Sequence, residues 1–81
     1  MTPSPKTIAI TVTYNPDFEI LRDQLESLKS QCNVIIVDNA SRKDLFQTIK
    51  EFCSKNEHVQ LIALDENIGI SCAQNIGIQH A

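Results

Sequence analysis

The chain has 81 residues, of which 42% are hydrophobic and 21% charged, so we expect at most one small globular domain or part of a larger one. With a net charge of −3, the chain lacks the excess positive charge that is typical of a nucleic-acid-binding protein. Cys32, Cys53 and Cys72 lack C-x-x-C spacing, which predicts reduced, buried thiols. No apolar run could span a bilayer, and Met1–Lys6 does not resemble a targeting segment. We therefore expect a cytoplasmic protein without a nucleic-acid partner.

The first predicted strand is the β-branched run Thr7–Thr13, which ends at Tyr14-Asn15-Pro16. Asn15 could cap a helix, and Pro16 suits the first helical position because its missing N–H costs nothing there. The helix that follows should bury a stripe at three- and four-residue spacing, formed by Phe18, Leu21, Leu25 and Leu28.

The central strand is the clearest structural signal in the sequence. Val34–Val37 are four consecutive β-branched residues without polar alternation, which predicts a strand buried on both faces of a parallel sheet. Asp38 and Asn39 follow at its carboxyl end, where ligands bind in open α/β sheets. The alternative is that both residues only begin a turn or cap a helix.

A second and a third strand–helix unit follow. Ser41–Asp44 has the form of a capping box, and the helix behind it has an apolar stripe formed by Leu45, Ile49, Phe52 and Cys53. Val59–Leu64 predicts the third strand, which ends at Asp65-Glu66-Asn67, and a third helix is expected from about Ser71. Gly77 is unfavourable inside a helix, so we expect close packing against the sheet there.

These elements predict an α/β fold, a three-layer sandwich with a Rossmann-like parallel half-sheet made of three strand–helix repeats. The sequence stops within a helical pattern, and a half-sheet has an unprotected edge. We therefore expect residues 1–81 to be the N-terminal portion of a larger, truncated domain.

Several function classes remain open on spacing alone. The first strand is followed by Tyr14-Asn15-Pro16 and not by G-x-G-x-x-G. Two interpretations of the strand ends therefore remain: they form a nucleotide site without a glycine-rich phosphate loop, or they have a purely structural role. A nucleotidyltransferase would need a glycine-rich, basic loop at that place. A receiver-type signalling domain, or another nucleotide-binding module, would share the alternation of strands and helices. A receiver domain also needs a pair of acidic residues after the first strand, which this chain lacks. Of its required acids, only the phosphorylated aspartate has a match, at Asp65.

Three motifs together resemble one family. They are Val12-Thr13-Tyr14-Asn15-Pro16, Val37-Asp38-Asn39-Ala40-Ser41 and the segment from Asn67 to Ile78, which fits N-x-G-x-x-x-A-x-N-x-G-I. In this order they resemble the inverting glycosyltransferases with the GT-A fold (family 2 type), and among those the rhamnosyltransferases of bacterial surface polysaccharides. The resemblance covers the chain after Lys6.

The resemblance implies roles for individual residues of a nucleotide site. Thr13, Tyr14 and Asn15 match the segment that lines the base and ribose. Asp38 matches the residue that accepts a hydrogen bond from N3–H of uracil or thymine. The helix bordering the diphosphate and metal is matched by Asn67, Gly69 and Asn75.

The resemblance also implies what this chain does not contain. The full enzyme would use a divalent metal, Mg or Mn, whose ligands lie beyond this chain, as does the catalytic base. Many members carry arginine where this chain has Gln74. The implied partners are a dTDP- or UDP-sugar donor and a glycan or lipid-linked glycan acceptor. The implied location of the full enzyme is the inner face of the cytoplasmic membrane.

Overall fold

The computed structural model describes residues 7–81, in which three parallel strands alternate with three helices. The elements are β1 (Thr7–Thr13), α1 (Phe18–Leu28), β2 (Cys32–Asp38), α2 (Lys43–Ser54), β3 (Val59–Ala63) and α3 (Ile70–His80). The predicted alternation is confirmed, although the third strand ends one residue earlier than expected and the third helix begins one residue earlier. Our expectation for Met1–Lys6 concerns residues outside the described range.

The sheet has the order β1-β2-β3, with both pairs of neighbouring strands parallel. The register places Thr13 opposite Asp38, and Asp38 opposite Ala63. The carboxyl ends of all three strands therefore meet at one edge of the sheet, where the polar residues of the sequence motifs follow. In the described part of the chain, β1 and β3 are each paired on one side only.

Helices cover both faces of the sheet, which confirms the predicted three layers. Val34 and Ile36 of β2 pack with Leu21, Leu25, Ile49 and Val59 on the side of α1 and α2. Ile35 and Val37 pack with Ala73 of α3 on the opposite side. The four β-branched residues of β2 are each at most 4% exposed, as the unbroken apolar run predicted. Full burial of such side chains contributes roughly 1.5–3 kcal/mol each.

Two predicted helix caps are wrong. The first helix is capped by Asp17 and not by Asn15, because the Asp17 carboxylate accepts hydrogen bonds from the main-chain N–H groups of Glu19 and Ile20. The second helix begins after Arg42, whose side chain makes no capping bond. The capping box predicted from Ser41 does not form, because the Ser41 hydroxyl is bonded to the preceding strand end instead.

Gly77 confirms the expected close packing of the third helix on the sheet. A Cβ atom added at Gly77 would lie 2.6 Å from Cγ2 of Ile10 and 3.1 Å from Cγ2 of Val37. Both neighbours are β-branched residues of strands, whose side chains have little freedom to move away. The glycine thus allows α3 to approach the sheet backbone.

We expect Gly77→Ala to lower the free energy of unfolding by about 1 kcal/mol, because overpacking of roughly 1–3 kcal/mol exceeds the helix-propensity gain of about 1 kcal/mol. In an Ile10→Ala background the nearest obstacle is absent, so the same substitution should become neutral or stabilising. Urea unfolding of the four chains measures both effects. Equal destabilisation in the two backgrounds would show that contact with Ile10 is not the reason for the glycine.

The cysteines are free, but the expectation that all three are buried is wrong. Cys32 and Cys53 are half-buried, and Cys72 is exposed in the first turn of α3. Burial raises the pKa of the Cys53 thiol to about 11. Cys53 is therefore a protonated core residue near neutral pH.

Within residues 7–81, no helix has the length and apolar character needed to cross a membrane.

Candidate functional site

Asp38 lies at the end of β2 and is only 1% exposed. Its Oδ1 atom accepts hydrogen bonds from the Thr13 hydroxyl at 2.7 Å and from the Ser41 hydroxyl at 2.6 Å. Its Oδ2 atom accepts a bond from the main-chain N–H of Ser41 at 2.9 Å. A buried carboxylate must have such partners, because leaving it unpaired would cost several kcal/mol.

Asn15 ties the loop after β1 to the loop after β2. Its main-chain N–H donates to the Ser41 hydroxyl at 2.8 Å, and its Oδ1 atom accepts from the main-chain N–H of Arg42 at 2.8 Å. Asn15 has a φ of 46°, a left-handed conformation that asparagine tolerates better than most residues. We call the hydrogen-bonded group of Thr13, Asn15, Asp38 and Ser41 the loop clasp.

Asn39 connects the same region to the loop after β3. Its main-chain N–H donates to the Thr13 carbonyl at 2.7 Å, which extends the pairing of the first two strands. Its side chain is buried and accepts from the main-chain N–H of Ile68 at 2.9 Å. One residue earlier, Oδ1 of Asn67 accepts from the N–H of Gly69 at 2.9 Å and closes a tight turn before α3. All three strand ends are therefore joined by side chains.

The N-terminus of α3 is open. Gly69 precedes it with φ 85° and ψ 161°, a conformation that is essentially restricted to glycine, and no side chain caps the helix. A Cβ at Gly69 would meet no atom within 4 Å. The first intrahelical bond is donated by Ala73 to the Gly69 carbonyl, and the first turn has no acidic residue. Such an end favours anions, because its leading N–H groups have no intrahelical partners and carry positive helix-dipole charge.

An open cleft of about 400 Å³ lies beside the carboxyl ends of β2 and β3. It contains two carboxylates and one ammonium group, and it is lined by Asp38, Ala40, Ser41, Lys43, Phe46, Ala63, Leu64 and Asp65. Among residues 7–81, no three His, Cys, Asp or Glu side chains come close enough together to hold a metal ion. The cleft can therefore offer hydrogen-bond acceptors, one cation and an aromatic ring to a ligand.

The structure brings some of the predicted site residues together. Thr13, Asn15 and Asp38 are in the loop clasp, and Asn67 and Gly69 are in the turn held by Asn39. Two other predicted residues are on the surface. Tyr14 is 55% exposed, and Asn75 is exposed in the second turn of α3.

The sequence reasoning missed Ser41 as a site residue, and it placed Asn39 at the strand end without giving it a specific role. Both belong to the motif Val37-Asp38-Asn39-Ala40-Ser41, so the available signal was a polar side chain directly after a fully buried strand. Ala40, between them, has a φ of 66°, which is strained for a residue other than glycine. The strain is consistent with a loop held in place by its hydrogen bonds.

The fold and the site define an open parallel α/β protein with its candidate ligand site at the carboxyl ends of the strands. The sequence matches the family model described as glycosyl transferase family 2 over residues 8–81. The chain belongs to this family, which confirms the predicted resemblance.

Two curated relatives carry glycosyltransferase names. The chain is 42% identical over 74 residues to a dTDP-rhamnosyl transferase, RfbF, of Shigella flexneri, covering 90% of this chain and 24% of that protein. It is 26% identical over 82 residues to an uncharacterized glycosyltransferase, MJ1057, of Methanocaldococcus jannaschii, covering 95% of this chain and 28% of that protein. The chain thus spans about a quarter of the length of each relative.

Proposed function

We propose that this chain supplies the donor-nucleotide site of an inverting glycosyltransferase that transfers a sugar, rhamnose, from a dTDP- or UDP-sugar. The acceptor is a glycan or lipid-linked glycan of a bacterial surface polysaccharide. Family membership and the name of the Shigella relative support the reaction class and the sugar. The observation that carries the proposal is the buried Asp38 carboxylate, which lines an open cleft at the end of the central strand.

In this proposal the base is recognised by hydrogen bonding and stacking. Asp38 accepts from N3–H of uracil or thymine, since an ionised carboxylate only accepts hydrogen bonds. The exposed ring of Tyr14 lies against the base, with Thr13 and Asn15 holding the surrounding loop. Cytosine has an acceptor at the N3 position, so the same carboxylate disfavours it.

The diphosphate is assigned to the open end of α3. The turn between Asn67 and Gly69 exposes the first main-chain N–H groups of the helix, which favour an anion. Asn75 lies within the same helix one turn further on, and Gln74 supplies an amide where many family members have a cation. Binding here therefore depends on backbone donors more than on a charged side chain.

A divalent metal, Mg or Mn, belongs to the proposed full enzyme, but the described residues do not fit it. No group of three suitable ligands occurs within residues 7–81, and the Asp38 oxygens already accept three hydrogen bonds. Because the chain spans about a quarter of the length of each relative, we assign the metal ligands and the base that deprotonates the acceptor hydroxyl to chain outside residues 1–81. We assign the reaction to the cytoplasm, at the inner face of the cytoplasmic membrane.

The 81-residue chain is expected to bind dTDP and UDP more tightly than CDP and to catalyse no sugar transfer. Calorimetric titration with the three nucleotides measures the preference, and incubation with dTDP-rhamnose and acceptor glycan tests the activity. Equal affinity for CDP would contradict the assignment of Asp38 to the base. Sugar transfer by the 81-residue chain would contradict the assignment of residues 1–81 as an N-terminal, donor-binding portion.

A further inference from the structure

The hydrogen bonds to Asp38 are distributed unequally between its two oxygens. An ionised carboxylate has about four acceptor positions, two on each oxygen. Both positions on Oδ1 are used, by the hydroxyls of Thr13 and Ser41. Oδ2 accepts a single bond in the described chain, from the main-chain N–H of Ser41. One acceptor position is therefore left, and it is on Oδ2.

Ser41 is the residue that bonds to both oxygens. Its N–H donates to Oδ2 and its hydroxyl donates to Oδ1, so the two bonds together resist rotation of the carboxylate about its Cβ–Cγ bond. The Ser41 hydroxyl is itself held, because it accepts from the main-chain N–H of Asn15 at 2.8 Å. Ser41 and Asp38 also line the same cleft.

We propose that Ser41 is a positioning residue that determines base specificity by fixing the Asp38 carboxylate, so that Oδ2 accepts the N–H of a uracil or thymine base. This inference rests on the proposed function. A role for Ser41 as an ordinary helix cap does not fit the geometry, because its hydroxyl donates to Asp38 and α2 begins without a side-chain cap.

The test compares three variants of the 81-residue chain with the wild type. Ser41→Ala removes the hydroxyl but keeps the N–H bond to Oδ2. Ser41→Thr keeps the hydroxyl. Ser27→Ala is the matched control, because the Ser27 hydroxyl donates only to the Gln24 carbonyl within α1. Calorimetry with dTDP and with CDP gives the ratio of the two affinities for each chain, and circular dichroism gives the folded fraction.

We expect Ser41→Ala to lower the dTDP affinity about three- to tenfold and to reduce the preference for dTDP over CDP by a similar factor. Ser41→Thr and Ser27→Ala should retain the wild-type preference. The affinity ratio matters because a loss of folded protein lowers both affinities equally and leaves their ratio unchanged.

The other outcomes separate the inference from the function on which it rests. If Ser41→Ala weakens both nucleotides equally, or if Ser41→Thr behaves like Ser41→Ala, Ser41 has only a structural role and the inference is wrong. The proposed function then stands, because the wild type still discriminates. If the wild type binds neither nucleotide, or binds both equally, base recognition by Asp38 fails and the inference fails with it.

Discussion

Asp38→Asn is expected to lower both the stability of the fold and the affinity for dTDP. An amide oxygen can still accept from the main-chain N–H of Ser41, but the amide nitrogen then faces the hydroxyls that donate to Oδ1 in the wild type. Two charge-assisted bonds are weakened, so we expect a loss of roughly 2–4 kcal/mol in the free energy of unfolding. That is a large share of the roughly 5–15 kcal/mol that stabilises a typical domain.

The dTDP affinity of the Asp38→Asn chain should fall about ten- to a hundredfold, because the base loses a charged acceptor. Urea unfolding and calorimetry measure the two effects separately, with the affinity corrected for the folded fraction. Asp23→Asn is the control, since it makes the same chemical change at a side chain that is 73% exposed. A folded Asp38→Asn chain that binds dTDP as tightly as the wild type would leave Asp38 a structural role only.

Gly69→Ala is expected to destabilise the chain by roughly 1–3 kcal/mol without creating any steric contact. The φ of 85° and ψ of 161° are strained for alanine, whereas a Cβ at this position would meet nothing within 4 Å. The loss therefore comes from the backbone alone. It should also disturb the turn in which the Gly69 N–H donates to Asn67, and with it the geometry of the open helix end.

Urea unfolding of Gly69→Ala measures the strain, and Gln74→Ala serves as a surface control in the same helix, where alanine is well tolerated. The contrast with Gly77→Ala is informative, because that substitution is opposed by packing against Ile10 and this one by torsion angles. An unchanged stability for Gly69→Ala would mean that the turn relaxes into an ordinary helix start, and glycine would not be required there.

The layers of the fold could be predicted because each depends on a local pattern. The side chains of the unbroken run Val34–Val37 can all be buried only if both faces of the strand are covered. One face is covered by α1 and α2, and the other by α3. Gly77 could likewise be interpreted from its cost in a helix, and its close approach to Ile10 confirms that interpretation. In both cases the physical reason is contained in the residue type and its neighbours in sequence.

The hydrogen bonds of the site could not be predicted in the same way. Asn15 and Ser41 are good capping residues by local rules, but in the fold each is bonded to a residue from a different strand end. Short polar side chains choose among several backbone and side-chain partners, and the choice depends on which loops the sheet brings together. The position of Asp38 was therefore predictable from the sequence, whereas its three donors were not.

The loop clasp also has a consequence for the order of folding. Three hydrogen bonds between the loops after β1 and β2 join residues 25, 26 and 27 positions apart in sequence, so they require the ends of these strands to be close together. The two bonds between Asp38 and Ser41, by contrast, join residues only three positions apart. Forming such long-range contacts requires closing a long loop, which costs conformational entropy. We therefore expect the long-range bonds of the loop clasp to form only once β1 and β2 have come together, and to be lost when these strand ends separate. A ligand that binds only the closed clasp would hold the carboxyl end of the sheet together and slow its opening.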